Sequence, residues 1–237
     1  VFLNRASQGA YPVGGLLSPI FNLNQNINLD GPFLSTITFE DEMQDKACQA
    51  KIIDSESYQS SLKQGCLSAL PYSISDQNIA DLIESPVFKY IFNAPNIGLP
   101  TSPAIDTSEY NHVLDLFSEK NPIRLSPLQV AVSFAPLSNK GFTIDPKLVS
   151  SVNISTGQWV VIPTEENFSN TNPINAMQMS DSLSVDLLPA WEISATNYDL
   201  ENIFNWFVIG TNDKTDATPL IICLVLENEN RDLAIYI

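Results

Sequence analysis

The sequence predicts a mainly β protein with added helix (α+β), built as a β-sandwich or jelly-roll-like stack of antiparallel sheets with a helical insertion at about residues 40–120. Three observations predict it. Eight strand-like segments crowd into the stretch from Leu128 to Ile237, a density that fits a sandwich or barrel. Period-two alternation marks residues 21–29 and 33–39, and caps followed by helical spacing fill the region between. Residues 1–237 read as a single domain, with N-terminal strands over 1–39, the helical insertion over 40–122 and a β-rich core over 123–237.

The first element places Phe21, Leu23, Ile27 and Leu29 on one face of a strand and Asn22, Asn24, Asn26 and Asn28 on the other. Alternation of this kind fits a strand with one wet face. It serves as an edge strand within the chain or as an assembly strand donated to the sheet of another subunit. Gly31-Pro32 breaks the chain, and Phe33 to Phe39 follows as a second strand.

In the insertion, a turn is expected near Tyr58 to Leu62. Ser75 caps a helix with Ile79, Leu82 and Ile83 as its stripe, and Ser85-Pro86 reads as the cap and first position of another. Thr107 caps a third, in which Tyr110, Val113, Leu114 and Phe117 follow the i, i+3, i+4, i+7 pattern. Beyond it the expected strands are Gln129–Phe134, Leu148–Ile154, Gln158–Ile162, Leu183–Leu187, Trp191–Ala195, Ile203–Ile209, Leu220–Leu226 and Leu233–Ile237. Leu220–Leu226, apolar on both faces, is expected to be central.

Charge excludes some functions. With 27 acidic and 11 basic side chains the net charge is −16, and a polyanion needs Lys and Arg to displace its counterions. Nucleic acid and insertion into a membrane are therefore not expected, and no apolar run reaches the roughly 20 residues that span a bilayer. The start at Val1 reads as a processed or partial N-terminus and suggests export. Cys48 and Cys66 sit in polar surroundings that suit a disulfide, whereas Cys223 lies inside an apolar run and reads as buried.

Catalytic vocabulary is thin. His112 is the single histidine, and neither a nucleophile elbow nor paired zinc-ligand spacing accompanies it. Ser60-Ser61-Leu62-Lys63 matches Ser-x-x-Lys, in which a lysine one turn on activates a serine, but Lys-Thr-Gly is replaced by Lys214-Thr215-Asp216. Asp106-Thr107-Ser108 is one imperfect copy of an aspartic-protease signature. Gly14-Gly15 leads into Leu16-Leu17, with no phosphate-loop lysine.

Two ligand sites remain. Trp191 beside Glu192 is an aromatic next to an acid, as sugar sites are often built, and Trp159 and Trp206 are the other aromatic candidates. Asn212, Asp213 and Asp216 place hard oxygen ligands in an interstrand loop, a site for Ca²⁺. No other cofactor is implied. The expected function is a non-catalytic extracellular or surface structural protein that self-associates, such as a subunit of a filament, coat or adhesive layer; the alternative is a carbohydrate-binding module or a carboxylate-dependent glycoside hydrolase. The balance leans away from an enzyme without closing the question.

Overall fold

The three-stranded sheet shows why cross-strand rows define this fold. In the computed structural model, which describes residues 4–23, 48, 55–71, 73–74, 77–118, 122–162, 171–199, 202–212 and 218–228, the elements begin with α1 (Arg5–Gln8), β1 (Tyr11–Pro12) and α2 (Ser18–Leu23). Then come α3 (Ser55–Lys63), α4 (Ile79–Ile83), α5 (Lys89–Phe92), β2 (Arg124–Leu125), α6 (Pro127–Ser133) and α7 (Ala135–Ser138). The last are β3 (Ser151–Asn153), β4 (Trp159–Val161), α8 (Pro173–Ser182), β5 (Ala190–Asp199), β6 (Asn202–Thr211) and β7 (Ile221–Glu227).

β5, β6 and β7 form an antiparallel sheet in that order. Registered pairs put Trp191, Gly210 and Ile221 in one row, Ile193, Val208 and Cys223 in the next, and Ala195, Trp206 and Val225 in a third. Opposite residues in a ladder share a face, so these rows make one apolar surface. The Trp191 ring lies over Gly210, where a Cβ would collide with it. Its indole N–H donates to Ser138 Oγ at 2.9 Å, and its ring stacks on Phe134 at 5.8 Å. The C-terminal end of α6, together with α7, thereby covers the sheet.

α2 is buried on every side, its apolar residues Pro19, Ile20, Phe21 and Leu23 in the core and its two polar ones, Ser18 and Asn22, hydrogen-bonded there. Phe21 packs on Phe88 at 4.7 Å and on Phe117 at 5.4 Å. Asn22 is buried, but both of its amide protons are used, one on Ser18 O and one on Ala69 O, each at 2.8 Å. Most buried polar groups are paired in this way; the Asn22 Oδ1 is buried without a partner among the described residues.

Several expectations change here. α+β architecture with antiparallel strands is present, but the described strands build one three-stranded sheet covered by helices, with two-stranded ribbons β1–β2 and β3–β4; they are not two sheets packed face to face. Phe21, Asn22 and Leu23 belong to helix α2, so this part of the expected assembly strand is core; Asn24, Asn26, Ile27, Asn28 and Leu29 lie outside the described residues. Gln129–Phe134 is helical because Ser126 and Gln129 form a capping box with Pro127 at the first position, a start signal that outweighs local alternation. Leu183–Leu187 is a turn after α8, held to the sheet by the bridge of Ser184 to Trp191. β7 is only half-buried, and β6 takes the central place between β5 and β7.

The caps fared unevenly. Ser85 does precede a 3₁₀ turn at Pro86–Phe88 that runs into α5. Ser75 lies outside the described residues, and α4 is capped by Asn78. The third helix is two 3₁₀ turns, Thr107–Glu109 capped by Asp106 and Val113–Phe117.

A polar clamp fixes the approach to the β3–β4 ribbon. Lys89 Nζ donates to Asp145 Oδ1 at 2.6 Å, and the Tyr90 hydroxyl donates to the same oxygen. Burial opposes ionisation of Asp145, but those two hydrogen bonds and the charges of Lys89 and Lys147 outweigh it and hold the carboxyl below the usual carboxylate range. Desolvation, then the bond to Asp145, raises the Tyr90 phenol well above its ordinary value.

Candidate functional site

Where the buried helix meets the sheet, three chain segments come to van der Waals contact. The first is the stretch Pro12 to Gly15, in which Pro12 O accepts from the Trp206 indole N–H at 2.8 Å and Val13 O accepts from Asn197 Nδ2 at 3.1 Å. A 3₁₀ turn over Gly14–Leu17 then leads into α2. The second is the end of α3, where Gly65 adopts φ +59 and lies against Ala195 of β5; a Cβ on it would come within 2.6 Å of the Ala195 methyl. The third is β5 itself.

Gly15 closes the seam. A Cβ there would collide with Gly65 O and lie 2.8 Å from the Cys66 carbonyl carbon. Both obstacles are backbone, which cannot swing aside as the end of a side chain can. Ser18 Oγ donates to Cys66 O at 3.0 Å across the same contact.

Cys66 is joined to Cys48 by a disulfide that closes a separation of 18 residues, with Cα atoms 5.6 Å apart. Loop-closure entropy assigns such a link about 3 kcal/mol. Reduction is therefore expected to lower the melting temperature by roughly 6–12 °C, measured by differential scanning calorimetry with and without reductant. A shift under 2 °C would show that residues 65–66 hold their place without the bond.

Ser60 and Lys63 sit one turn apart on α3. The lysine Nζ donates to Ser184 O at 2.6 Å, in the turn before β5, while Ser60 Oγ accepts from Gln64 Nε2 at 3.0 Å. The lysine thus braces α3 to the sheet, and no hydrogen bond ties it to Ser60.

Other sequence candidates are dispersed. Trp191 is at 0% exposure in the core, while the neighbouring Glu192 is exposed, so strand alternation sends the two side chains to opposite faces. Asn212 is buried and its Nδ2 reaches Asp181 Oδ1 at 3.5 Å. Asp213 and Asp216 lie outside the described residues, and the described residues hold no cluster of three or more His, Cys, Asp or Glu side chains suited to a metal. His112 is exposed and starts the Val113–Phe117 turn, its backbone N–H donating to Asp115 Oδ2 at 2.8 Å. Cys223 is a free thiol that burial pushes up to about 12. It lines an open cavity of about 390 Å³ between α1 and β7, with Arg5 and Glu227 paired at 2.8 Å on its wall.

No family model and no curated protein matches the sequence. Solved structures do. The D,D-transpeptidase domain of a peptidoglycan glycosyltransferase from Eggerthella lenta superposes with a TM-score of 0.68 at 13% identity, covering 96% of this chain and 63% of that one. The chain shares the fold of that domain. A peptidoglycan synthetase from Bifidobacterium adolescentis gives 0.69 at 13% identity over 94% of this chain and 45% of its own. Penicillin-binding protein A from M. tuberculosis, in its imipenem acyl-enzyme complex, gives 0.66 at 14% identity over 98% and 59%. The chain thus spans between about half and just under two thirds of the length of these three structures.

These likenesses overturn the expected non-catalytic surface assembly protein, filament or coat. The frame is shared with the D,D-transpeptidase domain of a peptidoglycan glycosyltransferase, a peptidoglycan synthetase and a penicillin-binding protein that forms an acyl-enzyme with imipenem. Sequence reasoning tested Gly14-Gly15 only as a phosphate loop and passed over Gly65. Its signal was the pairing of two glycine positions with a disulfide-candidate cysteine, which has no meaning until the fold brings them together.

Proposed function

We propose that the chain serves peptidoglycan synthesis, outside the membrane, as a transpeptidase-type module that engages the peptide part of the wall polymer. The observation that carries this is the superposition over 94–98% of the chain on a D,D-transpeptidase domain of a peptidoglycan glycosyltransferase, a peptidoglycan synthetase and a penicillin-binding protein. The Cys48–Cys66 disulfide fits an oxidising compartment, and no helix among the described residues is long and apolar enough to cross a membrane.

Within that role the chain engages the wall peptide. Acyl transfer by enzymes of this class uses a serine activated by a lysine one helical turn on, and Ser60-x-x-Lys63 is the one such match in the sequence. Its lysine is committed to Ser184 O.

Calorimetric titration with a synthetic wall stem peptide of D,D-terminus, run beside intact-mass measurement after incubation with a penicillin, tests the reading. Saturable peptide binding is the expected result, with the protein mass unchanged by the penicillin. A penicillin adduct on Ser60 would keep the wall role and add acyl transfer to it. Absence of peptide binding together with an unchanged mass would overturn the proposal.

A further inference from the structure

The β3–β4 ribbon exposes what a sheet normally hides. Val152 pairs with Val160, Asn153 with Trp159 and Ser151 with Val161; Trp159 is 68% exposed and Val161 72%. Because paired residues share a face and alternate residues along a strand return to it, Ser151, Asn153, Trp159 and Val161 stand as a two-by-two grid on one side. Its edges are about 5 Å across the strands and about 7 Å along them, room for one sugar ring.

The grid mixes the chemistries that an N-acetylated sugar displays. A ring C–H face stacks on an indole, a hydroxyl or acetamido group pairs with an amide and a hydroxyl, and an acetyl methyl packs on a valine. Asn153 spends its Nδ2 on a long 3.5 Å bond to Gly157 O, and its Oδ1 takes no hydrogen bond within the described residues. The tip, Ser155-Thr156-Gly157-Gln158, is polar, which argues against a ribbon driven end-on into lipid.

Charge points the same way. The chain carries −16, yet between Asp145 and Glu165 there is no acidic side chain, and Lys147 lies in that stretch. A carboxylate-bearing wall polymer, repelled by an acidic protein at long range, meets no carboxylate along this ribbon.

We propose that the Ser151, Asn153, Trp159, Val161 face binds chains of N-acetylated amino sugars, the glycan part of the wall polymer. The choice of this glycan rests on the wall role proposed above. The bound sugar would position the polymer on the module while its peptide is engaged elsewhere.

The probe is the tetramer of N-acetylglucosamine. Trp191 and Trp206 are at 0% exposure, so a sugar-induced change in tryptophan emission reports Trp159. Saturable binding is expected by fluorescence and by calorimetry. Trp159→Ala should weaken it at least tenfold, Asn153→Ala severalfold, and Trp159→Tyr should restore most of it. Val160→Ser, on the opposite face, should leave it unchanged, with matching circular dichroism for all variants.

No saturable binding by the unaltered chain, or equal binding by Trp159→Ala, overturns the proposal. So does light scattering that shows a dimer dependent on Trp159 in a protein that does not bind the sugar, because the face would then belong to a second copy. Failure to bind sugar while the stem peptide still binds removes the platform alone. Loss of both removes the wall role with it.

Discussion

Trp191→Ala is expected to lower the free energy of unfolding by about 3–5 kcal/mol, and to lower the melting temperature by roughly 10 °C. The indole is wholly buried, stacks on Phe134 and donates to Ser138 Oγ. Truncation leaves a cavity over Gly210 and strands a hydroxyl partner. Glu192→Ala, one residue on but exposed, should stay within about 0.5 kcal/mol. Urea denaturation of the pair decides between a core residue and a ligand platform: if Trp191→Ala kept full stability, the packing of α6 and α7 on the sheet would be wrongly described.

Gly15→Ala is expected to cost about 3 kcal/mol, at the upper end for overpacking, because the added methyl meets Gly65 O and the Cys66 carbonyl carbon. The control is Gly98→Ala. Gly98 has φ +76 and open space around its Cβ position, so its cost is the left-handed conformation alone, about 1–2 kcal/mol. Thermal or urea unfolding of the two variants should therefore separate them, Gly15→Ala being the weaker protein. Equal losses would show that the seam yields and that the contact of α2 with residues 65–66 is not tight. The seam joins the buried helix, the end of α3 and β5, so any ligand working there would have to displace backbone from backbone.

Much of the sheet could be read from the sequence. β5, β6 and β7 announce themselves through apolar residues at alternate positions, and the Ser85-Pro86 start was visible because a cap and a proline act locally. Helices were lost where two local signals disagreed. Residues 129–134 alternate like a strand, yet Ser126-Pro127-x-Gln129 carries a complete helix start. Asn172-Pro173 opens α8 in the same way, and that helix has too weak an apolar stripe to be noticed without its cap.

Asn22 misled for a different reason. Its place in a row of alternate asparagines suggested a wet face, whereas its amide protons pair with Ser18 O and Ala69 O inside the core. One of those partners is 47 residues away, and no local pattern encodes it. The same holds for the candidate site: Gly15, Gly65 and Ala195 are far apart in the chain, and only the fold brings their backbones into contact. Trp191 and Glu192 were adjacent in sequence but point to opposite faces, the ordinary consequence of a period of two.

Co-sedimentation with isolated peptidoglycan sacculi tests the proposed wall role most directly. The protein is expected to pellet with the sacculi in a saturable manner and to be released by an excess of soluble stem peptide and N-acetylglucosamine tetramer added together. Protein that remains in the supernatant at every sacculus concentration, or that pellets without release by the two competitors together, would contradict the account.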